Sequence, residues 1–321
     1  MSRAEVNSDR LARTALIIPT RNAGRLWDEV LSAIDRQDGR LGQCLVIDSE
    51  SGDDTQDAAT AHGCELIQIR SETFDHGGTR QIGVRHTSAR EFIIFLTQDA
   101  VLASPDALGR LLSAFDDPLV GAAFGRQLPR QEAGPLEAHA RRFNYPMESR
   151  TSELADATNM GIKSAFLSNS FAAYRRTALE SVGGFPERTI LGEDMLTAAR
   201  MLQNSWRIAY RADACVYHSH DYSIVQEFRR YFDTGVMHAR EAWLIESFGK
   251  TEGEGLRYVK SELHWLIRHA PWLIPEALCR TIAKFTGYKL GRMERFLPAT
   301  VKAQLSMHKN FWTRERDHHA S

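Results

Sequence analysis

Five short segments of the 321-residue chain carry side chains whose types and spacing can do chemistry. Asp48 ends the apolar run Gln43-Cys-Leu-Val-Ile47, and Asp99 follows Phe95-Leu-Thr-Gln98. Acidic residues at the carboxyl ends of strands lie in the crevice where open α/β sheets bind ligands. There Asp48, with Ser49, Gly52, Asp53 and Asp54 after it, can accept hydrogen bonds from a base or ribose, and Asp99 offers the oxygen that Mg²⁺ or Mn²⁺ needs to hold a diphosphate. Gly192-Glu193-Asp194 sets two carboxylates at a helix start, where the macrodipole keeps an Asp ionised and able to take a hydroxyl proton. Tyr217-His-Ser-His-Asp-Tyr222 puts His218 and His220 on one side of an extended segment, suited to a metal or a diphosphate. Phe74-Asp-His-Gly-Gly-Thr-Arg80 brings two glycines and an arginine to a helix start whose free N–H groups attract anions. Each segment taken singly also has an ordinary structural reading: a helix cap at Asp48, a turn at Asp99 or Phe74–Arg80, an acidic first turn at Glu193-Asp194, a solvent-facing histidine pair.

These residues need a frame. Thr14–Thr20, Gln43–Ile47, Cys64–Ile69 and Glu91–Leu96 are continuous apolar runs, separated by helical spacing over Trp27–Arg36, Asp53–His62 and Thr79–His86. Continuous rather than alternating apolar strands predict a mainly parallel sheet covered on both faces, an α/β fold. Val120–Phe124, Ser164–Tyr174 and Trp206–Tyr210 read as further strands, Asp194–Asn204 as a helix, and the chain from Ile224 onward as predominantly helical.

A composition of 43% hydrophobic and 25% charged residues with net charge -1 fits a soluble globular protein and supplies no general drive toward nucleic acid. Met1–Arg13 is a polar arm without the apolar centre of a secretory signal, which places the protein in the cytoplasm as an expectation. The four cysteines, Cys44, Cys64, Cys215 and Cys279, form no CxxC pair and read as buried or incidental thiols rather than zinc ligands.

In their order, Ile18-Pro-Thr-Arg-Asn22, Val46-Ile-Asp-Ser-Glu-Ser-Gly-Asp-Asp-Thr55, Phe74–Arg80, Phe95-Leu-Thr-Gln-Asp-Ala100 and Gly192-Glu-Asp194 resemble glycosyltransferase family two, and within it the bacterial rhamnosyltransferases of surface polysaccharide synthesis. Phe74–Arg80 and Gly125-Arg-Gln-Leu-Pro-Arg130 are the segments most similar to the rhamnosyltransferases. The resemblance implies a GT-A catalytic domain over residues 14–240, followed by a helical extension over 241–321. It implies an inverting transfer from a nucleotide sugar, dTDP-L-rhamnose first and other UDP-, dTDP- or GDP-sugars as alternatives, to a saccharide or polyprenyl-diphosphate-linked acceptor. Pro19, Thr20, Arg21 and Asp48 would line the nucleoside pocket. Arg80 and Gln98 would lie beside the donor, Asp99 would reach a Mg²⁺ or Mn²⁺ ion on the diphosphate with His218 or His220 completing its shell, and Asp194 would be the base. Thr97 stands where such enzymes usually carry a first carboxylate, and Gln226-Glu-Phe-Arg-Arg-Tyr231 departs from the processive Gln-x-x-Arg-Trp pattern, so single-sugar addition is expected. The departure at Thr97 also keeps a non-catalytic nucleotide-sugar binder in view.

Near the C-terminus Leu278, Ile282, Phe285, Met293 and Phe296 share a helical face, with Arg280, Lys284 and Arg295 broadly opposite. Such a helix suits the anionic inner leaflet near a lipid-linked acceptor, packing on the catalytic domain, or a homodimer contact.

Overall fold

The computed structural model describes residues 3–250 and 253–320. Nine strands form one sheet: β1 Thr14–Thr20, β2 Gln43–Asp48, β3 Glu65–Gln68, β4 Phe92–Leu96, β5 Val101–Leu102, β6 Val120–Leu128, β7 Arg150–Ser152, β8 Phe171–Arg175 and β9 Arg207–Tyr217. Their order is β3-β2-β1-β4-β8-β6-β9-β5, with β7 added on β9. The first half, β3-β2-β1-β4, is parallel as the apolar runs predict, and every residue of β4 is buried. The second half is mixed, because β8 runs antiparallel to both β4 and β6.

Strand bounds differ from the sequence-based expectation in places. Ser164 and Ala165 belong to the short 3₁₀ turn Gly161–Ala165, and the strand begins only at Phe171. β9 continues past Tyr210 to Tyr217, where buried Ala212, Ala214 and Val216 alternate with Arg211, Asp213 and Cys215. That alternation is the two-residue period of a strand with one covered face. Adjacent strands also bring Cys44 to Cys64, with the sulfurs 2.6 Å apart, although the two are well separated in sequence.

Seven helices matter for the site: α1 Arg3–Ala12, α2 His76–His86, α3 Pro135–Asn144, α4 Glu193–Gln203, α5 Ile224–Arg240, α6 Ile274–Arg292 and α7 Lys309–Ala320. The residues expected to be a polar arm are helical in α1, which buries Leu11 in the core and sends Arg10 to the Leu112 carbonyl at 3.3 Å. The C-terminal helices do not form a separate lobe. α6 packs along α5, and the chain then returns so that Phe311 and Trp312 of α7 are buried in the main core, with Arg240 stacked over both rings. Among the described residues no helix is long and apolar enough to cross a membrane.

Candidate active site

The carboxyl ends of β1 and β4, the start of α2 and the segment before and into α7 enclose a cavity of about 660 Å³. Pro19, Thr20, Arg21, Arg80, Gln98, Asp99, His218 and His220 all line it. Eight of the residues proposed from sequence thus converge from four distant stretches of chain. Gln98 holds the turn after β1: its Oε1 accepts from the Arg21 N–H at 2.7 Å and its Nε2 donates to the Arg21 carbonyl at 3.2 Å.

Asp48 is placed differently from the expectation. It is fully buried and lies outside the cavity lining, while its neighbour Ser49 reaches it. Its carboxylate accepts from the Thr20 hydroxyl (3.0 Å), the Ser51 N–H (2.9 Å) and hydroxyl (2.5 Å), and the Gln56 amide (2.8 Å). Four donors occupy its oxygens, so in this state Asp48 ties β1 to the turn after β2.

Asp99, His218 and His220 form one cluster, with a ligand atom of each within 4.8 Å of the others. His218 Nε2 is 3.3 Å and His220 Nδ1 3.7 Å from the Asp99 carboxylate. Nδ1 of His218 lies 2.9 Å from the Gln127 side-chain oxygen, which can only accept; Nδ1 therefore donates, and Nε2 is the ring atom that faces Asp99. Arg130 donates to the Asp99 carbonyl at 2.6 Å and carboxylate at 3.0 Å. Against the upward push of burial, His218, His220 and Arg130 hold Asp99 well below the usual carboxylate range. Burial first, and the neighbouring imidazole second, lower His220 to about 3, so it stays neutral and free to ligate. An oxygen and two imidazole nitrogens make a donor set that could hold a divalent cation.

Asp194 stands just outside the cavity lining. Its Oδ2 accepts from the N–H of Asn169 at 3.1 Å, next to the lining residue Ser170, and its Oδ1 from the Met195 N–H at 2.8 Å. Gly192 before it has φ 81°, a left-handed conformation that glycine adopts without cost and that turns the chain sharply into α4. Burial, then the adjacent Glu193 charge, raise Asp194 to about 7. Glu193 takes the opposite course: against burial, Arg80, His76 and Asn169 hold it below its ordinary value. Arg80 is 3.0 Å from Glu193 with both side chains buried, so it neutralises that carboxylate and is not a free phosphate cation, although it lines the cavity. The adjacent acids are thereby split into a carboxylate held in its charged form and a carboxyl that titrates near neutrality.

Sequence reasoning missed one wall. Met307, His308, Lys309, Asn310, Phe311 and Arg314 line the cavity from the C-terminal segment. The aromatic pair Phe311-Trp312 within a polar tail was the available signal, since two adjacent large apolar rings need a core to cover them.

The family model described as Glycosyl transferase family 2 matches residues 15–183. The chain is 50% identical to the O-antigen chain rhamnosyltransferase RfbN of Salmonella typhimurium over 301 residues, covering 94% of this chain and 96% of that protein. It is 49% identical over 298 residues to the O-antigen chain rhamnosyltransferase WbaN of Salmonella anatum, covering 92% of this chain and 95% of that one. Among solved structures, the mannosyltransferase PcManGT of Pyrobaculum calidifontis, in complex with GDP-Man and Mn²⁺, aligns with a TM-score of 0.54 at 21% identity, covering 94% of this chain and 85% of that one. Residues 1–349 of S. aureus TarS align with a TM-score of 0.53 at 15% identity, covering 96% and 91%. With the family model matching more than half of the chain and a relative 50% identical over nearly its whole length, the chain is a glycosyltransferase and belongs to glycosyl transferase family 2.

Proposed function

We propose that the protein transfers L-rhamnose from dTDP-L-rhamnose to a growing O-antigen saccharide, carried on a polyprenyl diphosphate, with inversion at the anomeric carbon. The observation that carries this reading is the 50% identity to an O-antigen chain rhamnosyltransferase sustained over 96% of that protein's length. Pro19, Thr20 and Arg21 line the nucleoside end, and Asp48 acts from behind by ordering their turn. Asp194 accepts the proton of the acceptor hydroxyl as that oxygen bonds to the anomeric carbon. The bond from that carbon to the donor diphosphate breaks, and the nucleoside diphosphate leaves with the bonding electrons. Asp99, His218 and His220 are the residues that would hold a divalent cation, which when bound supplies positive charge against the departing diphosphate. Gln127 fixes the ring of His218 for that task.

The acceptor's lipid carrier favours a protein that works at the inner face of a membrane. Supporting this, the apolar face of α6 that the sequence marks out is turned to solvent, while Arg280 and Lys284 are drawn inward to Glu276 and Glu227. We read this face as a peripheral membrane contact.

Calorimetric titration with dTDP-L-rhamnose, UDP-sugars and GDP-sugars, with and without Mn²⁺, tests the donor. The expected result is tightest binding of dTDP-L-rhamnose that depends on Mn²⁺ in the wild type and loses that dependence in Asp99→Ala. Tighter binding of a UDP- or GDP-sugar overturns the donor assignment, and unchanged Mn²⁺ dependence in Asp99→Ala overturns the ligand set.

A further inference from the structure

We infer that Lys309, the first residue of α7, is a donor-binding residue that pairs with the diphosphate, so that the C-terminal segment completes the donor site. This rests on the nucleotide-sugar reading above. Most charged side chains around the cavity are already matched. Arg80 is paired with Glu193, Arg314 lies 3.8 Å from Asp75, and Asp99 is engaged by Arg130 and two histidines. Among the described residues, Arg21 and Lys309 are the lining cations without an ion-pair partner. They come from opposite ends of the chain, one from the turn after β1 and one from α7.

The cavity they share also holds buried hydroxyls with no hydrogen-bond partner: Ser49 Oγ, Thr97 Oγ1 and Thr189 Oγ1. Buried groups of this kind are uncommon in folded proteins, and their concentration around one cavity marks a place completed by a polar ligand. Two unmatched cations specify its charge. A neutral sugar gains little from a lysine, whereas a diphosphate gains charge-assisted hydrogen bonds.

The segment that carries Lys309 is built to stay in place. Fully buried Asp233 on α5 accepts from the Met307 N–H at 2.8 Å, and the His308 N–H donates to the Ser306 hydroxyl at 2.9 Å. His308 then stacks edge-on against His76 of α2 with ring centroids 5.0 Å apart, and Phe311 and Trp312 anchor the first turn of α7 in the core. Lys309 is itself exposed at the cavity wall, so replacing it leaves these anchors intact.

The test compares dTDP with thymidine by calorimetry in Mn²⁺, using full-length wild type, Lys309→Met and Lys309→Arg. Lys309→Met should weaken dTDP about tenfold while leaving thymidine affinity unchanged, and Lys309→Arg should restore most of the loss. Equal dTDP affinity in wild type and Lys309→Met overturns the inference, as does an equal loss for dTDP and thymidine, which would mean that the wall has merely shifted. Failure of the wild type to bind any of dTDP, UDP or GDP overturns the nucleotide-sugar reading and this inference with it.

Discussion

At the scale of single residues, the site is organised by how each buried charge is compensated. Glu193 has Arg80 at 3.0 Å, while Asp194 has only two N–H groups, and that difference leaves Asp194 with its proton affinity raised to about 7. A base near neutrality is what proton removal from a hydroxyl needs. Asp194→Asn should therefore lose at least about 10²-fold in kcat. Wild-type kcat/KM should rise with pH through about 7, as the base loses its proton, and that limb should vanish in the variant. The same shift has a stability consequence. A folded-state value above the ordinary 3.8 means that the native state holds the extra proton, so this group's contribution to stability falls as pH rises from about 4 to about 7. Asp194→Asn removes that penalty and should melt higher than wild type at pH 8, by on the order of 1–3 kcal/mol after the loss of one N–H acceptor, but not at pH 4. Near-normal turnover in the variant would remove Asp194 as the base. The candidate base was legible in the sequence because Gly192-Glu193-Asp194 follows two strand-end acids in order. Its tuning was not, because Arg80 and Asn169 are remote from Glu193 in the chain and only folding sets them beside it. Asp48 shows the converse: its type and position were legible, but its four donors are seen only in three dimensions.

At the scale of elements, the parallel half of the sheet follows directly from uninterrupted apolar runs such as Phe92–Leu96. Ser164 and Ala165 misled because a buried 3₁₀ turn directly before a strand is too short to show a period of its own. The packing of α5 on α6 was hidden for a different reason, since it depends on glycines whose partners lie on the other helix. A Cβ on Gly291 would fall 2.0 Å from the Phe232 carbonyl oxygen, and one on Gly287 2.3 Å from that of Phe228. Backbone cannot yield as a flexible side chain can, so the helices must separate. Gly291→Ala should cost about 2–3 kcal/mol despite alanine's better helix propensity, measured by chemical denaturation. Gly255→Ala is the matched control, since its Cβ would meet nothing within 4 Å, and it should stay within about 0.5 kcal/mol of wild type. Equal effects of the two would show that helix propensity rather than close approach governs the α5–α6 pairing.

At the scale of the whole molecule, the chain uses its C-terminal third twice, once to wall the donor cavity through α7 and once to present α6 to the outside. Ile282, Phe285 and Phe296 are 66%, 63% and 65% exposed, with Leu278 and Met293 continuing the row and Trp272 close by in sequence. Five large apolar side chains exposed within one stretch of chain are more than scattered surface residues and suit a contact surface. Exposed Lys289, Arg292 and Arg295 accompany the row, while Glu276 and Glu294 are tied to Arg280 and to Arg240 and Lys302. The face is thus apolar with free positive charge, the pattern of a helix lying in an anionic lipid interface. Ile282→Asp combined with Phe285→Asp should reduce partitioning onto anionic vesicles by roughly thirtyfold or more, about 2 kcal/mol or more, in a flotation assay. Turnover on a soluble acceptor should be retained, because neither side chain lines the cavity. Neutral vesicles should capture the wild type less well than anionic ones, since each nearby cation contributes about 1 kcal/mol at an anionic surface. If the face instead joins two copies of the chain, the same double variant will change the sedimentation coefficient from dimer to monomer and leave flotation unaltered. That outcome would replace the lipid surface with a second protomer as the occupant of α6.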